Sequence, residues 1–168
     1  MLSKTMQDAL NDQINKELYS AYLYLSMSAY FESISMPGSA KWMRAQHDEE
    51  HMHANKIFDY VNDRNGRVVL KAIDAPQVEF KSPLAAWEMV LEHERKVTAS
   101  IHKLYELAVA EKDYATQSML QWFIDEQVEE EKSATLMVER FKQAGDQPAT
   151  LLILDAHFTK REEEEEEE

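Results

Sequence analysis

Four long stretches of the chain repeat apolar side chains at the spacing that lines one face of an α-helix. The first runs from about Ser3 to Glu32, with Leu10, Ile14, Ala21, Tyr24, Leu25 and Ser28 on one stripe, and ends before Met36-Pro37-Gly38. The second begins near Ser39, aligns Met43, Gln46, Ile57, Tyr60 and Val61, and stops around Asn65-Gly66. Ser82 and Pro83 mark a third start, because a capping hydroxyl precedes a residue whose missing N–H is no loss in the first turn. Leu84, Trp87, Leu91, Thr98, Ile101, Tyr105 and Ala108 follow in register. Asp113 caps a fourth stretch that carries Leu120, Phe123, Ala134, Met137 and Phe141 and closes at Gly145.

The segment RVVLKAIDAPQVEFK has β-branched residues and no helical stripe, and is expected to be a long connection. Two short links and one long one predict an all-α four-helix bundle with a crossover between the second and third helices. ATLLILDAHF, after Pro148, adds a small fifth helix, so one domain spans residues 1–160. The closing REEEEEEE repels itself, and residues 161–168 are expected to form a disordered acidic tail.

Composition narrows the function classes. Without cysteine there are no disulfides, thiolate ligands or thiol nucleophiles. No apolar run approaches the roughly 20 residues of a membrane span, and the opening MLSKTMQDALNDQ has no signal core. A soluble cytoplasmic protein is expected. The formal charge is −14, half of it from Glu162 to Glu168, which argues against nucleic acid as a partner and for cations.

Several charged side chains fall inside the apolar stripes. Glu17 lies between Ile14 and Ala21, Glu50 and His53 between Gln46 and Ile57, Glu94 between Leu91 and Thr98, and Gln127 and Glu130 between Phe123 and Ala134. A single acid on a helix face ordinarily snorkels or pairs with a cation. Four helices that each send one inward are a different matter, since facing buried carboxylates each cost several kcal/mol unless protons or cations neutralise them. Two divalent ions would balance four carboxylates, which favours a dinuclear metal site. Oxygen ligands with one imidazole suit iron, manganese or zinc. The i, i+3 spacing of Glu50 and His53 is common by chance, and its weight comes from the other three helices.

Other residues carry less. Tyr24 is as readily core packing as a functional group, and Trp122 reads as packing. His47, His51, His93, His102 and His157 show no convergent spacing. Within WFIDEQVEEEK, Glu130 faces the core, Glu126 stands on its border and Glu129 lies farther round the same side, while Asp125 and Glu131 are expected to be solvated surface.

NDQINKELYSAYLYLSMSAYF, HDEEHMHA, EHER and WFIDEQVEEEKS resemble, in order, the segments of non-haem ferritins of the bacterial and archaeal type, over about residues 1–160. The resemblance implies an iron-storage ferroxidase with Glu17, Glu50 and His53 on one iron, Glu50, Glu94 and Glu130 on the second, and Gln127 beside the pair. It further implies a third iron site at Glu49, Glu126, Glu129 and Glu130, and Tyr24 as an electron donor. Iron(II) with dioxygen or hydrogen peroxide as oxidant, and self-association into a cage of twenty-four chains, follow from it too. Ser133 stands where related di-iron proteins repeat a histidine on the fourth helix, so one imidazole and no haem are expected. Two other readings stay open: a di-iron oxidase or peroxidase that stores nothing, and a non-catalytic bundle whose acids are protonated or paired.

Overall fold

The computed structural model describes the backbone of residues 2–166 and the side chains of residues 2–158. Five helices follow one another: α1 (Lys4–Ser33), α2 (Pro37–Asp63), α3 (Pro83–Ala110), α4 (Tyr114–Ala144) and α5 (Pro148–Glu166). The first four are each about 40–47 Å long at 1.5 Å per residue. Helix α1 packs along α2 and α3 along α4, α1 also meets α3, and α5 rests on α2 and α4. The expected crossover occupies residues 64–82 without regular structure. The expected acidic tail, residues 161–168, lies outside the described side chains. No helix among the described residues is long and apolar enough to cross a membrane.

The helix starts follow local chemistry. Ser3 accepts a hydrogen bond from the Met6 amide, Ser82 from Ala85 and Asp113 from Thr116. Asp113 also receives both ends of the Arg64 guanidinium, at 3.0 and 3.1 Å, which ties the end of α2 to the start of α4. Gly145 closes α4 with φ at +60°, a conformation that L side chains rarely adopt. At Gly66, a Cβ would stand 3.0 Å from Gln7 Oε1 and from the side chain and carbonyl of Val61, so a larger residue would force these neighbours to give by a few tenths of an ångström.

Helix α2 is the exception. It begins at Pro37, two residues before the expected Ser39, and its N-cap Met36 has no side-chain acceptor. The acceptor comes from α5 instead. Buried Asp155 takes the amides of Gly38 and Ser39 at 2.8 and 2.7 Å and the Ser39 hydroxyl at 2.7 Å. A carboxylate at a helix N-terminus satisfies orphan N–H groups and complements the dipole, so one residue both starts α2 and docks α5.

Two stripes differ from expectation. On α1, Leu23 fills the core while Leu25 is half-buried. On α3, Leu84, Leu91, Thr98 and Tyr105 form a half-buried border, and the buried line runs Trp87, Val90, Glu94, Val97, Ile101, Leu104 and Ala108. This line alternates steps of three and four, the heptad seam of antiparallel bundles; Trp87, Ile101 and Ala108 lie on it as expected, and Val90, Val97 and Leu104 complete it in place of Leu84, Leu91, Thr98 and Tyr105, which lie one heptad position to the side.

The apolar core is divided in two. One half gathers Tyr24, Phe31, Met43, Trp87, Phe141 and Phe158, and the other Leu10, Ile14, Ile57, Ile101, Leu120 and Phe123. Between them, at one level along the bundle, every long helix interrupts its apolar line with buried polar residues: Glu17, Glu50 and His53, Glu94, and Gln127 with Glu130.

Candidate metal centre

Each inward acid is carried at the middle of a long helix, so its backbone is held on both sides by packed turns. Glu17, Glu50, Glu94 and Glu130 are 0, 3, 1 and 7% exposed, and none has a lysine or arginine as a salt-bridge partner among the described residues. Ligand atoms of Glu17, Glu50 and His53 lie within 4.8 Å of one another. Oε2 of Glu17 and Oε2 of Glu50 are buried without a hydrogen bond. Such orphaned oxygens are rare in a folded interior, and two on adjacent helices at one point describe a cation site.

The protonation states agree. Burial pushes Glu17 up to about 7 against the pull of hydrogen bonds with Gln13 and Glu50, with the Glu94 charge adding to the rise. Burial, then the charges of Glu17, Glu94 and Glu130, holds Glu50 well above the ordinary carboxylate range. Burial raises Glu94 as well, opposed by hydrogen bonds from Tyr24 and Gln127. Glu130 is pushed up to about 9, by burial first and then by Glu94, Glu49, Glu126 and Glu129. At neutral pH, therefore, protons stand in for missing positive charge.

His53 Nδ1 lies 3.3 Å from Glu50 Oε2, a distance that suggests an ion pair. Burial, with a smaller push from Lys56, holds the imidazole down to about 4, so it is neutral. That neutrality, and the lack of a hydrogen bond at Glu50 Oε2, make the contact a close approach of two potential metal ligands rather than an ion pair. Phe123 and Trp122 pack on the ring at centroid distances of 5.8 and 5.4 Å, and Lys56 Nζ sits 4.1 Å over Trp122. Trp122 is thus part of the wall behind His53.

Around this group the polar neighbours orient the acids. Gln13 donates to Glu17 at 2.8 Å, the Tyr24 hydroxyl donates to Glu94, and Gln127 donates to the other Glu94 oxygen at 3.1 Å. Gln127 also reaches Thr98 at 3.2 Å, whose hydroxyl donates to Glu131 at 2.6 Å. Gln13 has no place in the sequence pattern, and Glu131, expected as solvated surface, is half-buried and held by Thr98. The i, i+4 step from Gln13 to Glu17 was a usable signal, whereas the Thr98 contact with Glu131 comes from a neighbouring helix and left none.

A second convergence brings ligand atoms of Glu49, His53 and Glu126 within 4.8 Å. Burial first, then like charges, raises Glu49 and Glu126, and Gln46 holds Glu49 at 2.8 Å. Of the four acids expected at a third site, Glu49 and Glu126 meet here. Glu129 is exposed and Glu130 faces the first group, so neither belongs to this convergence.

The family model described as a ferritin-like domain matches residues 7–144. The chain belongs to the ferritin-like family. A bacterial non-heme ferritin of Staphylococcus haemolyticus is 42% identical over 166 residues, covering 99% of this chain and all of that one. One from Bacteroides fragilis is 42% identical over 161 residues, 96% of this chain and all of its own. Among solved structures, the open pore ferritin of the hyperthermophilic archaeon Archaeoglobus fulgidus superposes with a TM-score of 0.93 at 53% identity, covering 94% of this chain and 98% of that one. Within a ferritin-like bundle the interrupted level has a clear meaning. It is the place where side chains from all four helices face one another, and where metals are held in such folds.

Proposed function

We propose that the protein is an iron-storage ferritin that oxidises iron(II) at the centre built by Glu17, Glu50, His53, Glu94 and Glu130. The observation that carries this reading is the set of four buried carboxylates without a lysine or arginine salt-bridge partner among the described residues, beside a neutral imidazole. Two iron(II) ions entering as substrate supply the charge the centre lacks and displace its protons. Glu17, Glu50 and His53 hold one ion and Glu50, Glu94 and Glu130 the other, with Glu50 shared. Gln127 and Tyr24 fix the orientation of Glu94 through their hydrogen bonds to its two oxygens. The two ions yield two electrons, one dioxygen takes them up with two protons, and hydrogen peroxide and two ferric ions result. Hydrogen peroxide can replace dioxygen as oxidant. Ferric product passes to a mineral store in a cage of twenty-four chains. A third iron position draws on Glu49 and Glu126, with Glu129 and Glu130 on the adjoining turn.

The test loads the protein with iron(II) without oxygen, counts the ions bound, and then admits air. Fast ferric absorbance is expected from the parent protein, and its loss from Glu50→Ala and Glu130→Ala variants that keep their helical circular dichroism. Folded variants that oxidise iron as fast as the parent would remove the centre from the reaction.

A further inference from the structure

The geometry points to a second kind of metal site, on the surface of α2, where His47 and His51 form a chelate for a divalent transition cation of the imidazole-preferring kind. The two residues are one helical turn apart, and their rings stand 4.7 Å apart at centroid, nearly perpendicular. The sequence alone assigns these histidines nothing, and it is the helix that brings them together, since i and i+4 side chains share a face. His47 is fixed by a neighbouring helix: its Nδ1 lies 2.8 Å from the Ala21 carbonyl of α1. A carbonyl only accepts, so Nδ1 is the donor and Nε2 is the nitrogen left to face a metal. That is how protein scaffolds prepare an imidazole for a metal, by engaging one ring nitrogen and leaving the other to bind.

The free side of His47 leads to further ligands. Nε2 is 4.0 Å from Asp48 Oδ1, and Asp48 is well exposed. His51 is exposed too, so turning about its own side-chain bonds brings a ring nitrogen alongside Nε2 of His47 without moving the backbone. Two imidazoles and an adjacent carboxylate, with water at the remaining positions, match copper(II), nickel(II) or zinc(II), and rank iron(II) lower. The donor set is the reverse of the buried centre, which offers several carboxylates and one imidazole. The inference stands whether or not the buried centre oxidises iron.

This difference in nitrogen count provides the test. A sub-stoichiometric amount of copper(II) is added to the intact metal-free protein, and nitrogen hyperfine couplings are read by electron paramagnetic resonance. Copper coupled to two imidazole nitrogens is expected in the parent, since the buried centre has only His53 to give. His51→Ala and His47→Ala are each expected to lose the two-nitrogen signal, while helical circular dichroism is unchanged. A one-nitrogen signal in the parent, or a two-nitrogen signal that survives in either variant, overturns the site.

Discussion

Replacing Glu17 by glutamine should make the metal-free protein more stable while ending its ability to hold metal at the buried centre. Glu17 has an ordinary value of 4.5 and is pushed up to about 7 in the bundle. Below pH 4.5 the carboxyl is protonated in the folded and unfolded chains alike and carries no penalty. As the pH rises towards 7 the unfolded chain ionises first, so folding loses ground until the folded carboxyl ionises as well. At 1.36 kcal/mol per unit, the shift amounts to about 3 kcal/mol above pH 7. Glutamine keeps an acceptor for Gln13, never ionises, and presents an N–H where the carboxylate leaves an orphaned oxygen.

For a chain of this length, about 3 kcal/mol corresponds to a shift of about 6–12 °C in Tm. Calorimetry of chelator-treated protein, at fixed concentration and scan rate, should find the variant close to the parent at pH 5 and higher by that amount at pH 8. Saturating zinc(II) should then raise the parent by more than the variant, because a zinc ion at His47 and His51 would stabilise both alike and only the parent keeps the buried site as well. A variant that melts at or below the metal-free parent at pH 8 would show that Glu17 is not held ionised against a desolvation penalty, and the case for a cation site would lose its main support.

Asp155→Ala removes the acceptor for three hydrogen bonds at the start of α2, and should cost about 2–4 kcal/mol, with Asp155→Asn losing less. Calorimetry checks this, and a parent-like melting temperature for the alanine variant would mean that α2 caps itself. Tyr24→Phe deletes the hydroxyl that donates to Glu94, so the Glu94 value should climb further and protons should compete better with metal. Anaerobic iron(II) titration should find affinity lower by about tenfold at pH 6, with the gap narrowing at pH 8. Equal affinities for parent and variant at both values would remove the hydroxyl from the centre.

What was legible in the sequence was whatever a single helix decides for itself. Ser3, Ser82 with Pro83, and Asp113 mark their starts with their own side chains, and Glu17, Glu50, Glu94 and Glu130 betray themselves as acids inside an apolar period. What one helix cannot decide was lost. The start of α2 depends on Asp155, far along the chain, and no local pattern encodes that meeting. The buried line of α3 was displaced because Leu84, Leu91, Thr98 and Tyr105 are as apolar as their neighbours, and only the position of α1 and α4 selects between adjacent heptad lines. His53 was found as a ligand to one group, but its place in the second convergence with Glu49 and Glu126 needs α2 and α4 together.

The division of the core explains why these helices are so long. Folded domains retain only about 5–15 kcal/mol of net stability, and a layer with Glu17 near 7 and Glu130 near 9 forfeits a large part of it when metal-free above neutral pH. A shorter bundle with the acids at one end would let water reach them, relax their values and leave no reason for a cation to displace protons. With Trp87, Phe31 and Phe141 on one side and Ile14, Ile57 and Ile101 on the other, the acids can neither snorkel to an end nor part from one another. The two apolar halves thus hold the carboxylates in the state from which a divalent ion gives the largest relief. Metal affinity in this bundle is stability withheld from the metal-free chain and returned on binding.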